Sequence, residues 1–172
     1  MKLGVITDIH NNYIALKVVV ERLQQLECDK IICCGDIIGI GPYPEETVQY
    51  MMQIPNLIAV RGNHEKYLLD KMPNEYPNEE QMGFEEMKHH EWEHSLLSTK
   101  SVDFLRKLPY QVNVEYEGYS LCVMHFCMND EGYYINYKTK PSEEDLKSMF
   151  DDFDTTIQCD ELIPEEDWSL SI

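Results

Sequence analysis

The stretch KIICCGDIIGIGPYP, residues 30–44, decides the fold. It opens on an unbroken apolar run, the signature of a short strand buried on both faces. Gly35-Asp36 ends the run, and Pro44 starts a helix that the spacing carries to Ile54. Cys33 and Cys34, adjacent inside the run, read as small buried hydrophobes rather than a redox pair. The same grammar recurs on both sides. KLGVIT (2–7) is a buried strand that ends in Asp8-Ile9-His10 and leads into helical spacing over YIALKVVVERLQQL (13–26). LIAVR (57–61) is a third strand, ending in Gly62-Asn63-His64-Glu65. Strand–helix–strand–helix–strand at this rhythm predicts a parallel sheet flanked by helices, an α/β fold.

Downstream, residues 64–108 read as mostly helical, with a loop around 72–78 marked by two prolines. QVNVEY (111–116) and YSLCVM (119–124) alternate about Glu117-Gly118, a hairpin signal. Ser142 and Asp145 resemble a capping box opening a helix to Phe150, and 154–158 reads as one more strand. From Pro141 onward eleven Asp and Glu face a single Lys147. After Cys159 no periodicity remains. The expected organisation is one domain over 1–158 and an acidic, irregular tail over 159–172.

Composition sets limits on function. With 43% hydrophobic residues in 172, the chain has enough apolar material for a core without a disulfide scaffold. A net charge of −18 repels nucleic-acid duplexes and anionic membrane surfaces. It leaves room for a small phosphorylated substrate, because bound cations invert the local field. No uncharged apolar run approaches the roughly 18 residues of a membrane span. The N-terminal run, cut by Asp8 and His10, is too short for a signal peptide. Six cysteines without an export signal read as reduced thiols, which predicts a cytoplasmic protein.

Four polar clusters fall at strand ends: Asp8-Ile9-His10, Gly35-Asp36, Gly62-Asn63-His64-Glu65, and His125 after the hairpin's second arm. In open α/β sheets, sites form beyond the carboxyl ends of the strands, so these clusters are placed to converge. Asp and His suit Mn, Fe, Zn or Ni. A carboxylate such as Asp36 is able to bridge two cations, and Asn63 adds a neutral oxygen. Glycine before Asp36 and before Asn63 permits close backbone approach. Two cations about 3.5–4 Å apart would clamp an in-line phosphoryl displacement and supply an activated water as nucleophile.

This ordered set resembles the calcineurin-like metallophosphoesterase family, whose pattern runs Asp-x-His, Gly-Asp, Gly-Asn-His-Asp/Glu, a separate His, then Gly-His-x-His. The first four stand here as DIH (8–10), GD (35–36), GNHE (62–65) and MHF (124–126). GDIIGIGPYP, VRGNHE and LRKLPY (105–110) look like the family's bacterial phosphodiesterase branch. The resemblance implies a β-sandwich flanked by helices and two divalent transition-metal ions. Asp8 and His10 would hold one ion, Asn63 and His125 the other, and Asp36 would bridge. His64 would sit near the scissile group and protonate the leaving oxygen or stabilise charge there, and Asn12 would face the substrate phosphate. The implied activity is phosphoester hydrolysis, by a phosphodiesterase or nucleotide hydrolase.

Two departures stand out. Asn11-Asn12 replaces the usual Gly-Asn, a change the left-handed tolerance of Asn accommodates. No Gly-His-x-His follows His125, and no histidine at all. Three readings arise: a C-terminally truncated, catalytically impaired protein; replacement of the lost ligands by Asp160 or a side chain such as His94; or weak metal binding with hydrolysis retained. His89, His90 and His94 surround Trp92 and read as a solvated helix face with Trp92 docked on the core. A His90–His94 metal pair, one turn apart, is the other reading. Tyr133, Tyr134 and Tyr137 read either as ordinary packing or as a wall for a nucleobase.

Overall fold

A computed structural model describes residues 2–70, 72, 82–127, 140 and 142–145, and the backbone of 155–158. The elements, in chain order, are β1 (Leu3–Ile6), α1 (Tyr13–Gln25), β2 (Lys30–Cys33), α2 (Pro44–Met51) and β3 (Leu57–Ala59). There follow α3 (Asn63–Leu69), α4 (Phe84–Ser95), α5 (Thr99–Lys107), β4 (Gln111–Tyr116), β5 (Tyr119–Met124) and β6 (Thr155–Gln158). Strands β1, β2 and β3 form a parallel sheet in that order. In the second sheet β4 and β5 make the antiparallel hairpin that the alternation predicts, and β6 joins β5 in parallel.

Strand periodicity explains the layering. Along β2 and its continuation, Ile31 and Cys33 pack with Leu16, Val20, Val48, Met51 and Leu105 under the helices. Ile32 and Cys34 point the other way, onto Val60 and Val123, with Val112 and Val114 against them. The first sheet is thus buried on both faces, by helices α1, α2 and α5 on one side and the second sheet on the other. This is the helix-flanked sandwich implied by the family resemblance, and it explains why β2 shows no alternation. Each fully buried Ile or Val contributes roughly 1.5–3 kcal/mol. Cys33 and Cys34 are both 0% exposed, as core thiols should be.

Arg61 ties β3 to the end of α5: its Nε donates to Leu108 O at 2.6 Å and Nη2 to Arg106 O at 3.1 Å. The cation thereby satisfies carbonyls that the helix end leaves open. The capping box at Ser142 is present, with Asp145 N donating to Ser142 Oγ at 3.2 Å and Ser142 N to Asp145 Oδ2 at 2.9 Å. Residues 73–78 and 146–150, the three tyrosines at 133, 134 and 137, Asp160 and the tail lie outside the described residues.

The expectation for α4 is corrected. Its inward face carries His90 and Glu93, 1% and 0% exposed, while Trp92 is 45% exposed. The helix docks on polar atoms of the first sheet's loops rather than on the core, for the reasons given by its hydrogen bonds below. Among the described residues, no helix is long and apolar enough to cross a membrane.

Candidate metal centre

The parallel sheet delivers its strand-end residues to one place. Asp8 follows β1, Asp36 follows β2, Asn63 and His64 open α3 after β3, and His125 follows β5. Backbone ladders continue past the strands and lock the loops together: Asp8 N donates to Gly35 O at 3.2 Å, His10 N to Asp36 O at 3.0 Å and Asn11 N to Ile37 O at 3.0 Å. Asp8, His10, Asn11 and Asp36 have φ of 49°, 46°, 57° and 50°, the left-handed region. Such conformations cost of order 1–3 kcal/mol each for most residues and gather at functional sites. The glycine expected for close approach is required at Gly62: a Cβ there would lie 2.1 Å from Asp36 Oδ1.

Asp36, 3% exposed, is the hub. Its Oδ1 accepts from His64 N at 3.0 Å. Its Oδ2 lies 3.9 Å from His10 Nε2, 3.8 Å from His64 Nε2 and 3.5 Å from His125 Nε2. Asp8 Oδ1 is 3.6 Å from His10 Nε2, and Thr7 Oγ1 donates to Asp8 Oδ2. Asn63 Oδ1 is 3.1 Å from His125 Nε2. Two ligand groupings share Asp36: Asp8–Asp36–His125 and His10–Asp36–His64, each with its ligand atoms within 4.8 Å of one another.

The donor chemistry fits divalent cations. His125 Nδ1 lies 2.9 Å from Cys34 O and His10 Nδ1 3.3 Å from Ile38 O. A carbonyl only accepts, so each Nδ1 carries the proton and, in the neutral ring, each Nε2 presents a lone pair. His125 Nε2 then faces the oxygens of Asn63 and Asp36, a set of acceptors that a cation among them would satisfy.

Protonation preferences agree. Burial, reinforced by the Glu65 carboxylate, pushes the Asp36 carboxyl up to about 8. Burial pulls the His64 imidazole down to about 3, with His10 and His90 adding to the effect. Burial opposes the charged form of His10, but the bond to Asp8 and the Asp36 charge outweigh it and raise its pKa. Asp8 ends below the ordinary carboxylate range, because bonds from His10 and Thr7 outweigh its burial. The signs give a pH prediction for the metal-free protein. Groups whose folded pKa is lowered, His64 and His94, add stability as pH rises, and that gain is complete by about 6.5. Groups whose folded pKa is raised, Asp36 and His10, stabilise the protonated fold and lose that contribution as pH climbs. Melting temperature in chelator should therefore fall between pH 6.5 and about 8, and excess Mn²⁺ should oppose the fall. A flat or rising trend in chelator would contradict this assignment of charges.

Two residues that the motifs do not assign complete the construction. Glu65, 0% exposed, accepts from Asp36 N at 3.0 Å, Ile38 N at 3.0 Å and Gly62 N at 2.7 Å. Glu93 accepts from Gly39 N at 2.9 Å and from Asn11 Nδ2. Buried carboxylates bonded to backbone N–H groups hold both loops in shape. Asn12, expected to face phosphate, is the N-cap of α1, its Oδ1 accepting from Ala15 N at 3.1 Å. His94 belongs to none of the ligand groupings among the described residues; the α4 side chains that reach the centre are His90 and Glu93, grouped with His64. A cleft of about 280 Å³ lined by Thr7, Asp8, Asn12 and Ala15, among others, opens on the Asp8 side.

A helix-flanked sandwich with Asp, His and Asn at its strand ends defines the metallophosphoesterase class of fold and site. The chain belongs to the calcineurin-like phosphoesterase superfamily, whose domain model matches residues 1–155. It is 30% identical over 123 residues to an uncharacterised protein of Methanocaldococcus jannaschii, covering 72% of this chain and 48% of that one. Among solved structures it is similar to a metallophosphoesterase from Sphaerobacter thermophilus, with 25% identity, a TM-score of 0.55 and coverage of 74% of this chain and 47% of that one. A hypothetical protein of Pyrococcus horikoshii shares the fold at 14% identity, with a TM-score of 0.75 over 91% of this chain and 68% of that one. The chain spans about half the length of the first two relatives.

Proposed function

We propose that this chain carries a metal-dependent phosphoester hydrolase site acting on a small phosphorylated substrate, a phosphodiester or a nucleotide. The observation that supports it most is the convergence of three imidazole Nε2 atoms on the buried Asp36 Oδ2, within 3.9 Å. In this reading Asp8 and His10 would hold one divalent transition-metal ion (Mn, Fe, Ni or Zn), Asn63 and His125 would hold a second, and Asp36 would serve both. Bound there, the ions supply Lewis-acid charge to a phosphoryl group and lower the pKa of a water to near neutrality.

The chain's own residues do the rest. The Cys34 and Ile38 carbonyls fix the His125 and His10 rings with Nε2 inward. Asp36 is itself 3% exposed, and burial strengthens the charge interactions it makes. The Asp8 side, 36% exposed at the side chain, admits substrate from the cleft, where Asn12 Nδ2 is placed to donate to a phosphate oxygen. His64, held beside Asp36, stabilises the charge that develops on the leaving oxygen as the ester bond breaks. Purified protein with Mn²⁺ is expected to hydrolyse bis(p-nitrophenyl) phosphate. Absence of turnover across Mn, Ni, Co and Zn, or its survival after loss of both Asp36 and Asn63, would sink the proposal.

A further inference from the structure

We infer that Ile40, His89 and Trp92 form a shelf beside the metal centre that receives a flat aromatic group of the substrate, a nucleobase or an aryl ester arm. The inference rests on the phosphoester hydrolase reading of the centre and names the substrate class within it.

At Ile40 the backbone favours glycine and the sequence supplies a branched side chain. Gly41 N donates to Gly39 O at 2.6 Å, closing a three-residue turn around Ile40, whose φ is 60°. A turn of that hand is rare and strained, and a β-branched residue at positive φ is an outlier. On either side no side chain fits: a Cβ on Gly39 would lie 2.2 Å from His64 Nδ1, and one on Gly41 2.3 Å from His10 O. Packing does not offset the strain, since Ile40 is 61% exposed. The turn is nonetheless held firmly. Gly39 N donates to Glu93 Oε2 at 2.9 Å, Gly41 N to His10 O at 3.0 Å, and Asn11 Nδ2 to Gly41 O at 3.2 Å. Strain kept in place without a packing reason points to a use for the side chain it presents.

Two rings continue the surface that Ile40 begins. His89 Nε2 donates to Ile40 O at 2.7 Å. One turn along α4, the Trp92 ring lies 5.3 Å from the His89 ring, tilted by 43°, and Trp92 is 45% exposed. The shelf starts at the centre itself. Gly39 and Gly41, which flank Ile40, lie against His64 and His10, whose rings are 4.7 Å apart and whose Nε2 atoms both face Asp36 Oδ2. A phosphodiester carries two ester arms. With one arm in the cleft beside Asp8, the other is able to lie across Ile40 toward the two rings. Indole and imidazole faces receive a nucleobase or aryl ring whatever its edge groups, and Ile40 adds apolar area on a backbone that is already fixed. Three side chains fall far short of the roughly 800 Å² per partner that a protein interface buries, so the occupant that fits is a small ring rather than a protein.

The test compares two esters that share one leaving group, thymidine 5′-(p-nitrophenyl phosphate) and methyl p-nitrophenyl phosphate, in the Mn²⁺-loaded protein. The parent is expected to show kcat/KM about tenfold or more higher for the thymidine ester. Trp92→Ala and Ile40→Asn should each lower kcat/KM for that ester by about 5- to 30-fold, mostly through KM, and change it for the methyl ester by less than about 2-fold. Both positions are exposed, so neither variant should disturb the core. Asparagine tolerates the left-handed backbone, so Ile40→Asn should at the same time raise the Tm of the metal-free protein by about 2–4 °C. A residue kept for structure alone would not stabilise the fold on removal while weakening use of one ester and not the other. Equal losses on both esters, or no loss on either, would overturn the inference and leave the hydrolase reading standing. A lower Tm for Ile40→Asn would remove the argument from strain and overturn the shelf with it. If the parent turns over neither ester with Mn, Ni, Co or Zn, the hydrolase reading falls and this inference with it.

Discussion

Asp36→Asn is expected to lower phosphodiester turnover by roughly 10³-fold while making the metal-free protein more stable. The two effects have one cause. Asp36 is 3% exposed and its carboxyl is pushed up to about 8 by burial and by Glu65, so in the absence of cations the fold pays to keep an anion there. Asparagine keeps the side-chain oxygen that accepts from His64 N at 3.0 Å, and it removes the charge. At pH 8 the metal-free variant should gain about 1–2 kcal/mol over the parent in urea denaturation, since a desolvated carboxyl no longer has to ionise. With Mn²⁺ the order should reverse. A ligand that binds only the native state raises its melting temperature, and the variant lacks the oxygen shared by both ligand groupings. A variant that is less stable in chelator, or that keeps the parent's metal-induced shift, would remove Asp36 from the centre of the site.

Much of this was legible in the sequence, for identifiable physical reasons. The β1–α1–β2–α2–β3 order follows from unbroken apolar runs punctuated by Gly, Asp and Pro, because a sheet buried on both faces has no polar side to show. Asp8, His10, Asp36, Asn63 and His125 could be placed together because strand ends of a sandwich converge and because each of the first three runs ends in a chemically active side chain. The hairpin at Glu117-Gly118 followed from its alternation. The role of α4 did not. Its buried positions are His90 and Glu93, and apolar periodicity says nothing about a helix whose inward face is polar. Trp92 drew the reading toward the core, yet it stands 45% exposed. The available signal was the spacing of His90 and Glu93, one turn apart. Asn12 is open to two readings in the sequence. An Asn before a helix serves equally as N-cap and as phosphate donor, and its oxygen here is committed to Ala15 N.

Glu65 gives the opposite thermodynamic signature to Asp36, and the contrast separates scaffolding from chemistry. Its two oxygens accept from Asp36 N, Ile38 N and Gly62 N, so one side chain fixes both the loop after β2 and the start of α3. Burial raises its pKa, against the pull of the Ile38 and Gly62 N–H groups. Glu65→Ala leaves three backbone donors facing a cavity that water reaches poorly. Each orphaned donor costs about 1–3 kcal/mol. Part of that is offset because a desolvated carboxylate also disappears, so the net loss should be about 3–5 kcal/mol. Glu65→Gln retains one acceptor oxygen and turns an amide N–H₂ against the remaining donor, which places it between parent and alanine variant. Urea denaturation in chelator should give the order parent, glutamine, alanine, with Asp36→Asn above them all at pH 8. Metal affinity should fall in the same order across the Glu65 series although Glu65 touches no ion, because ligands on a slackened loop pay an ordering cost on binding that the parent has already met in folding. If Glu65→Ala proved as stable as the parent in chelator, the three hydrogen bonds would not be holding the loops, and the left-handed backbone at Asp36 would need another source of support.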